Sequence, residues 1–124
     1  MSLHNIHVLV VDDSRVELLL ATRVFNVFNI RVTAVQSAIE ALDFLDLHHA
    51  DVDLVVTDYY MPEMTGYDLL RELKESPILM DLPVVIACTD MIPERIFACI
   101  VGGARDYIMK PIKVADVPRL LSYI

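Results

Sequence analysis

The chain has 124 residues, enough for one domain with a sizeable core. Hydrophobic residues make up 56% of it, yet no apolar stretch approaches the ~18 residues needed to cross a bilayer. A net charge of −8, with ten scattered Lys and Arg, argues against direct nucleic-acid binding.

Met1-Ser2-Leu3-His4-Asn5 lacks a basic, apolar signal pattern, so an intracellular location is expected, in cytoplasm and nucleus. Cys88 and Cys99 make no disulfide framework and read as small core hydrophobes. No linker or repeat divides residues 1–124, which read as a single domain. His4, His7, His48 and His49 have no metal-site spacing.

In chain order, a first strand is expected at His7–Val11, ending on Asp12-Asp13. A helix follows, opened by Ser14 and Glu17 at capping-box spacing, with Val16, Leu19, Leu20, Val24 and Val27 at helical intervals. A second strand spans Arg31–Val35. A second helix opens on Ser37 and Glu40 and carries Ala38, Ala41, Leu42 and Leu45. His48 to Asp51 reads as a polar loop.

A third strand, Asp53–Thr57, leads to Asp58. Met61 to Gly66 form a loop into a third helix with Leu69, Leu70 and Leu73. A fourth strand, Val84-Val85-Ile86, leads through Ala87-Cys88 to Thr89. Pro93 suits the first turn of a fourth helix, with Ile96, Ile100 and Val101 expected inward and Gly102-Gly103 at its end. A fifth strand, Asp106–Met109, ends on Lys110-Pro111, and a last helix runs towards Ile124.

Alternating strands and helices define βαβ units. The expected architecture is an α/β (βα)5 doubly wound parallel sheet, flavodoxin-like, in strand order 2-1-3-4-5. Ligands of such sheets bind beyond the carboxyl ends of the strands, at the switch point between strands one and three. Those ends carry Asp12, Asp13 and Asp58. Three clustered carboxylates repel one another, and a hard divalent cation, Mg²⁺ or Mn²⁺, relieves this with oxygen ligands. Asp58 is the candidate nucleophile, because a carboxylate attacking phosphorus gives an acyl phosphate. The cation, Lys110 and Thr89 could each take one equatorial oxygen of the transition state. Any one of these residues alone reads as a turn or helix cap; their recurrence at successive strand ends does not.

These residues resemble the receiver domain of two-component response regulators, over essentially the whole chain. The likeness rests on Asp12-Asp13, Asp58, Met61-Pro62 with Gly66, Thr89, Gly103-Ala104, Tyr107 and Lys110-Pro111. It implies a Mg²⁺-dependent, self-catalysed transfer to Asp58 from a phosphohistidine protein, either a histidine-containing phosphotransfer protein or a histidine kinase. Asp13, Asp58 and the main-chain carbonyl of Tyr60 would hold the metal, with Asp12 acting mainly through water. Thr89 would move towards the phosphoryl group and Tyr107 would turn inward. The surface of the fourth helix, fifth strand and fifth helix would then address a downstream protein. Val10 to Ser14, Val32 to Val35, Asp58 to Tyr67 and Lys110 to Val117 look like plant response regulators, closest to the type-A class of cytokinin signalling. That class implies negative feedback and no DNA-binding domain.

Three features depart from the usual pattern. Tyr60 and Met91 are bulky where the family tunes water access, which implies slow self-dephosphorylation. Asp90 follows the switch residue, where a carboxylate could repel a phosphoryl group. Pro118 falls within the last helix and requires that it start near Asp116.

Competing functions leave weaker marks. An aspartyl-phosphate phosphatase would want Asp-x-Asp, but Tyr60 stands two after Asp58. The chain is therefore expected not to be an enzyme beyond its own phosphorylation and dephosphorylation. A receiver that signals without phosphorylation would not need all five site residues, which are intact here. A piece of a larger transcriptional regulator would carry the same motifs. A flavodoxin-like cofactor binder is disfavoured, since Asp12-Asp13-Ser14 would repel a phosphate.

Overall fold

A computed structural model describes residues 5–124; His4 and the rest of the first four residues lie outside it. The elements are β1 His7–Val11, α1 Arg15–Asn26, β2 Arg31–Val35, α2 Ala38–His48, β3 Leu54–Asp58, α3 Gly66–Glu75, β4 Val84–Cys88, α4 Pro93–Val101, β5 Asp106–Met109 and α5 Val117–Leu121. All strand pairs are parallel, in the order β2-β1-β3-β4-β5. The central strands β1, β3 and β4 are buried along their whole length, because helices cover both faces.

Alternate residues of each strand feed two cores. Leu9, Val11, Val55, Ile86 and Cys88 pack with α2, α3 and Cys99 of α4. Val8, Val10, Val56, Val85 and Ile108 pack with Leu18, Ala21 and Phe25 of α1 and Val117 and Leu120 of α5. Each fully buried aliphatic side chain contributes roughly 2 kcal/mol. Both cysteines are buried and free, as expected.

The N-caps follow the sequence, but neither expected box closes: the Ser14 N–H donates to Asp12, and the Glu40 carboxylate accepts from the Gln36 N–H. Ser14 and Ser37 accept hydrogen bonds from the backbone N–H of Glu17 and Glu40. Thr65 and Asp68 add a reciprocal box before α3. Pro118 lies in the first turn of a five-residue α5, preceded by a 3-10 turn at Val114–Asp116. The late start avoids the clash that an earlier helix would create.

Two helix faces differ from expectation. In α4, Cys99 is fully buried and Ile96 packs beside it, whereas Ile100 and Val101 are exposed. Each residue turns the helix by about 100°, so seating Cys99 points Val101 nearly opposite. In α1 the buried stripe is Leu18, Ala21 and Phe25, while Val16, Leu19, Leu20 and Val27 are exposed. Both helices are apolar around most of their circumference, so periodicity does not set their rotation. The expected polar loop at His48 is also shorter. α2 runs through His48, whose ring packs 4.7 Å from that of Phe44, and a 3-10 turn spans His49–Asp51.

Two buried polar clusters have no counterpart in the sequence pattern. His7 is held by the Thr33 hydroxyl at 2.7 Å and the Asp51 carbonyl at 3.0 Å. Asp106 accepts hydrogen bonds from Arg119 and Tyr123, both at 2.6 Å, tying α5 to β5.

Candidate functional site

Register builds the site. Val11 pairs with Thr57, so the next residues, Asp12 and Asp58, emerge side by side at the switch point. Cys88 pairs with Met109, which sets Thr89 beside Lys110. Asp12 and Asp58 are buried and Asp13 is exposed at the rim. One carboxylate oxygen from each of the three lies within 4.8 Å of the others.

The Lys110 ammonium crosses this cluster, at 2.8 Å from Asp12 and 3.2 Å from Asp58. The other oxygen of Asp12 accepts the backbone N–H of Ser14 at 2.9 Å. Burial, followed by repulsion from Asp12, pushes the Asp58 carboxyl up to about 6, although Lys110 pulls it down. Burial lowers the Lys110 pKa, but the Asp12 and Asp58 partners outweigh it, so the net shift is upward and the amine stays charged.

The loop after β3 closes the other side. A cleft of about 270 Å³ beside Asp13 is lined by Tyr60, Met61, Pro62 and Thr65. Gly66 comes so close that an added Cβ would sit 2.2 Å from the Asp58 carbonyl oxygen. Only a residue without a side chain allows α3 to start there.

The structure brings Asp12, Asp13, Asp58 and Lys110 together, and Tyr60 lines the cleft beside Asp13. Thr89 is at the rim, exposed, and its hydroxyl makes no hydrogen bond to Asp58. Tyr107, expected to turn inward on phosphorylation, is already inward. It is 4% exposed, and its hydroxyl donates to the Asp90 carbonyl at 3.2 Å. Asp90, a candidate repulsive charge, is engaged elsewhere: Tyr60 Oη donates to it at 2.8 Å and Arg95 at 2.7 Å. The Tyr60 hydrogen bond and the Arg95 charge hold its carboxyl below the usual range. Arg95 is a site neighbour that the sequence pattern does not mark. It lies 35 residues from Tyr60, and no local motif links the two.

Oxygen-only donors within reach of one another fit a small hard cation, so the residues present suit Mg²⁺. A parallel five-stranded sheet with an acidic triad, a bridging lysine and a strand-end hydroxyl is the arrangement of a receiver-type α/β domain.

The chain belongs to the response regulator receiver domain family, whose sequence profile matches residues 8–122. It is 59% identical over 118 residues to two-component response regulator ORR13 of Oryza sativa subsp. japonica, covering 95% of this chain and 97% of that one. It is 44% identical to two-component response regulator ARR3 of Arabidopsis thaliana over 96% of this chain and 55% of that one. These relatives are consistent with the plant type-A class. A receiver domain protein from Clostridium thermocellum superimposes with a TM-score of 0.86 at 26% identity, over 94% of this chain and 91% of that one. The chemotaxis protein CheY4 of Vibrio cholerae shares the fold, with a TM-score of 0.84 at 23% identity over 94% and 96%. No helix of the described residues is long and apolar enough to cross a membrane.

Proposed function

We propose that Asp58 is the phosphoryl acceptor of this receiver and that the donor is a phosphohistidine, carried by a histidine-containing phosphotransfer protein or a histidine kinase. The observation that carries this reading is the Lys110 bridge between Asp12 and Asp58, beside the exposed carboxylate of Asp13.

A carboxylate oxygen of Asp58 attacks phosphorus and forms the P–O bond of an acyl phosphate. The P–N bond of the donor breaks, and its imidazole leaves with the electron pair and takes a proton from water. Lys110 is placed to follow one phosphoryl oxygen as the carboxylate charge of Asp58 moves outward. Asp12, Asp13, Asp58 and the carbonyl of Tyr60 would hold Mg²⁺, which when bound supplies positive charge against the phosphoryl oxygens. Thr89 would report the phosphoryl group to the α4–β5–α5 surface, which a downstream protein would read. Turnover is limited to phosphorylation and dephosphorylation of Asp58, so the chain acts as a switch and not as an enzyme on a free substrate. The resemblance to the plant type-A class, carried by Asp58 to Tyr67 and Lys110 to Val117, would give it a place in cytokinin signalling, in cytoplasm and nucleus.

Incubation with Mg²⁺ and a labelled phosphohistidine phosphotransfer protein tests this. Label moves to the wild type and not to Asp58→Asn. Equal labelling of both, or of neither, would sink the reading.

A further inference from the structure

Four residues interlock above the acceptor. Arg95, in the first turn of α4, lies over the rings of Tyr59 and Tyr60, its guanidinium carbon 4.3 Å and 4.7 Å from their centroids. The two rings meet edge to face at 5.2 Å. Arg95 donates to Asp90 at 2.7 Å and also to the Tyr60 hydroxyl, which itself donates to Asp90 at 2.8 Å. A planar guanidinium can stack on rings and fork to a carboxylate together; an ammonium cannot.

Position in the chain gives this cluster its meaning. Tyr59 and Tyr60 directly follow Asp58, and Asp90 directly follows Thr89. The cluster therefore ties the acceptor loop to the switch loop. Residue 90 is held at both ends: its carboxylate by Arg95 and Tyr60, its carbonyl by Tyr107. Thr89 is the neighbouring residue, exposed and not bonded to Asp58. Any displacement of the 89–90 peptide towards the acceptor must therefore strain the contacts of residue 90.

We propose that Arg95 is a positioning residue that clamps Asp90 and Tyr60 and holds Thr89 away from the acceptor until phosphorylation. This rests on the reading of Asp58 as phosphoacceptor and adds the restraint that the switch must break. The clamp acts against the phosphorylated conformation, so releasing it tightens binding of anything that mimics a phosphoryl group on Asp58.

The sign separates this from simple electrostatics. Removing a cation near an anion site weakens anion binding through space. Removing a clamp strengthens it.

Beryllofluoride, a phosphoryl analogue, titrated with Mg²⁺ and followed by ¹⁹F NMR, provides the test. Arg95→Ala is expected to bind it about fivefold more tightly than wild type, with Arg95→Lys between the two. Asp90→Asn shows a similar gain, and the double variant gains no more than either single, because the clamp acts as a unit. In the metal-free protein, hydrogen exchange across residues 89–96 speeds up in Arg95→Ala. Affinity of Arg95→Ala equal to or below wild type, or additive gains in the double variant, overturns the clamp while leaving the acceptor reading intact. A wild type that takes up no beryllofluoride overturns both.

Discussion

Lys110 Nζ lies 2.8 Å from Asp12 and 3.2 Å from Asp58, so one ammonium from the end of β5 bridges buried carboxylates at the ends of β1 and β3. The three strands are not neighbours in sequence: 98 residues separate Asp12 from Lys110. Replacing the lysine leaves two buried carboxylates facing each other without a cation. Lys110→Met is expected to lose about 3 kcal/mol in urea unfolding at neutral pH. The loss shrinks near pH 5, where Asp58 takes up a proton. An unchanged midpoint at neutral pH would show that the bridge contributes nothing.

Asp58 itself makes stability depend on pH. Its folded pKa is raised, from 3.8 to about 6, by burial and then by Asp12. The folded state thus binds a proton more tightly than the unfolded chain. Below about pH 3.8 both states are protonated and the favourable contribution is complete; it is lost as pH rises through about 6. At pH 7.5, without divalent metal, Asp58→Asn should be more stable than wild type by about 2–3 kcal/mol. The gap should close below pH 4. Parallel unfolding curves across the whole range would contradict the shift.

Metal binding reverses that balance. Asp13 is exposed at the rim of the triad, so Asp13→Asn should fold as the wild type does. Saturating Mg²⁺, at about one hundred times its Kd, should stabilise the wild type by about 2.7 kcal/mol, and a chelator should remove the gain. Asp13→Asn should bind Mg²⁺ roughly tenfold more weakly by calorimetry, a loss of about 1.4 kcal/mol. Equal affinity in the two proteins would exclude Asp13 from the site.

Gly66 sets how near α3 can approach the acceptor. A Cβ at this position would sit 2.2 Å from the Asp58 carbonyl oxygen, which is backbone and cannot rotate aside. Gly66→Ala must therefore displace either the helix start or Asp58. The expected cost is about 2–3 kcal/mol of stability. Phosphoryl uptake should slow more than Mg²⁺ binding does, because transfer needs the tighter geometry. Wild-type uptake at wild-type stability would contradict the close approach.

Tyr60, two after Asp58, and Met91, two after Thr89, stand where the resemblance to receivers implies that water access to a phosphoryl group on Asp58 is tuned. Both are large, and Tyr60 is fastened by Asp90 and Arg95. Self-dephosphorylation is expected to be slow, with a half-life well beyond seconds. Tyr60→Gly should shorten it about tenfold, as water gains access. Release of inorganic phosphate from the labelled protein measures both. A wild-type half-life of seconds would remove the case for shielding.

The sheet and the acidic triad are legible in the sequence because strand ends carry their chemistry locally. Buried parallel strands read as short apolar runs, and the residue after each run points into the crevice. Asp12, Asp13, Asp58, Thr89 and Lys110 all fall at such ends. The start of α5 is legible too, since Pro118 fits a helix only in its first turn. Rotation of α1 and α4 is not. Ile100, Val101, Val16 and Leu19 are as apolar as the residues that are buried, and only the packing of Cys99 and Phe25 decides between the faces.

Chain order and residue type are thus enough for the strand sequence, the helix N-caps and which polar residues stand at the strand ends, because each is set within a few residues of chain. The Arg95 clamp, the inward Tyr107 and the Asp106–Arg119–Tyr123 tie belong to the tertiary structure alone. Their partners lie between 5 and 35 residues apart on different elements, and geometry in space, not spacing along the chain, selects which polar group meets which.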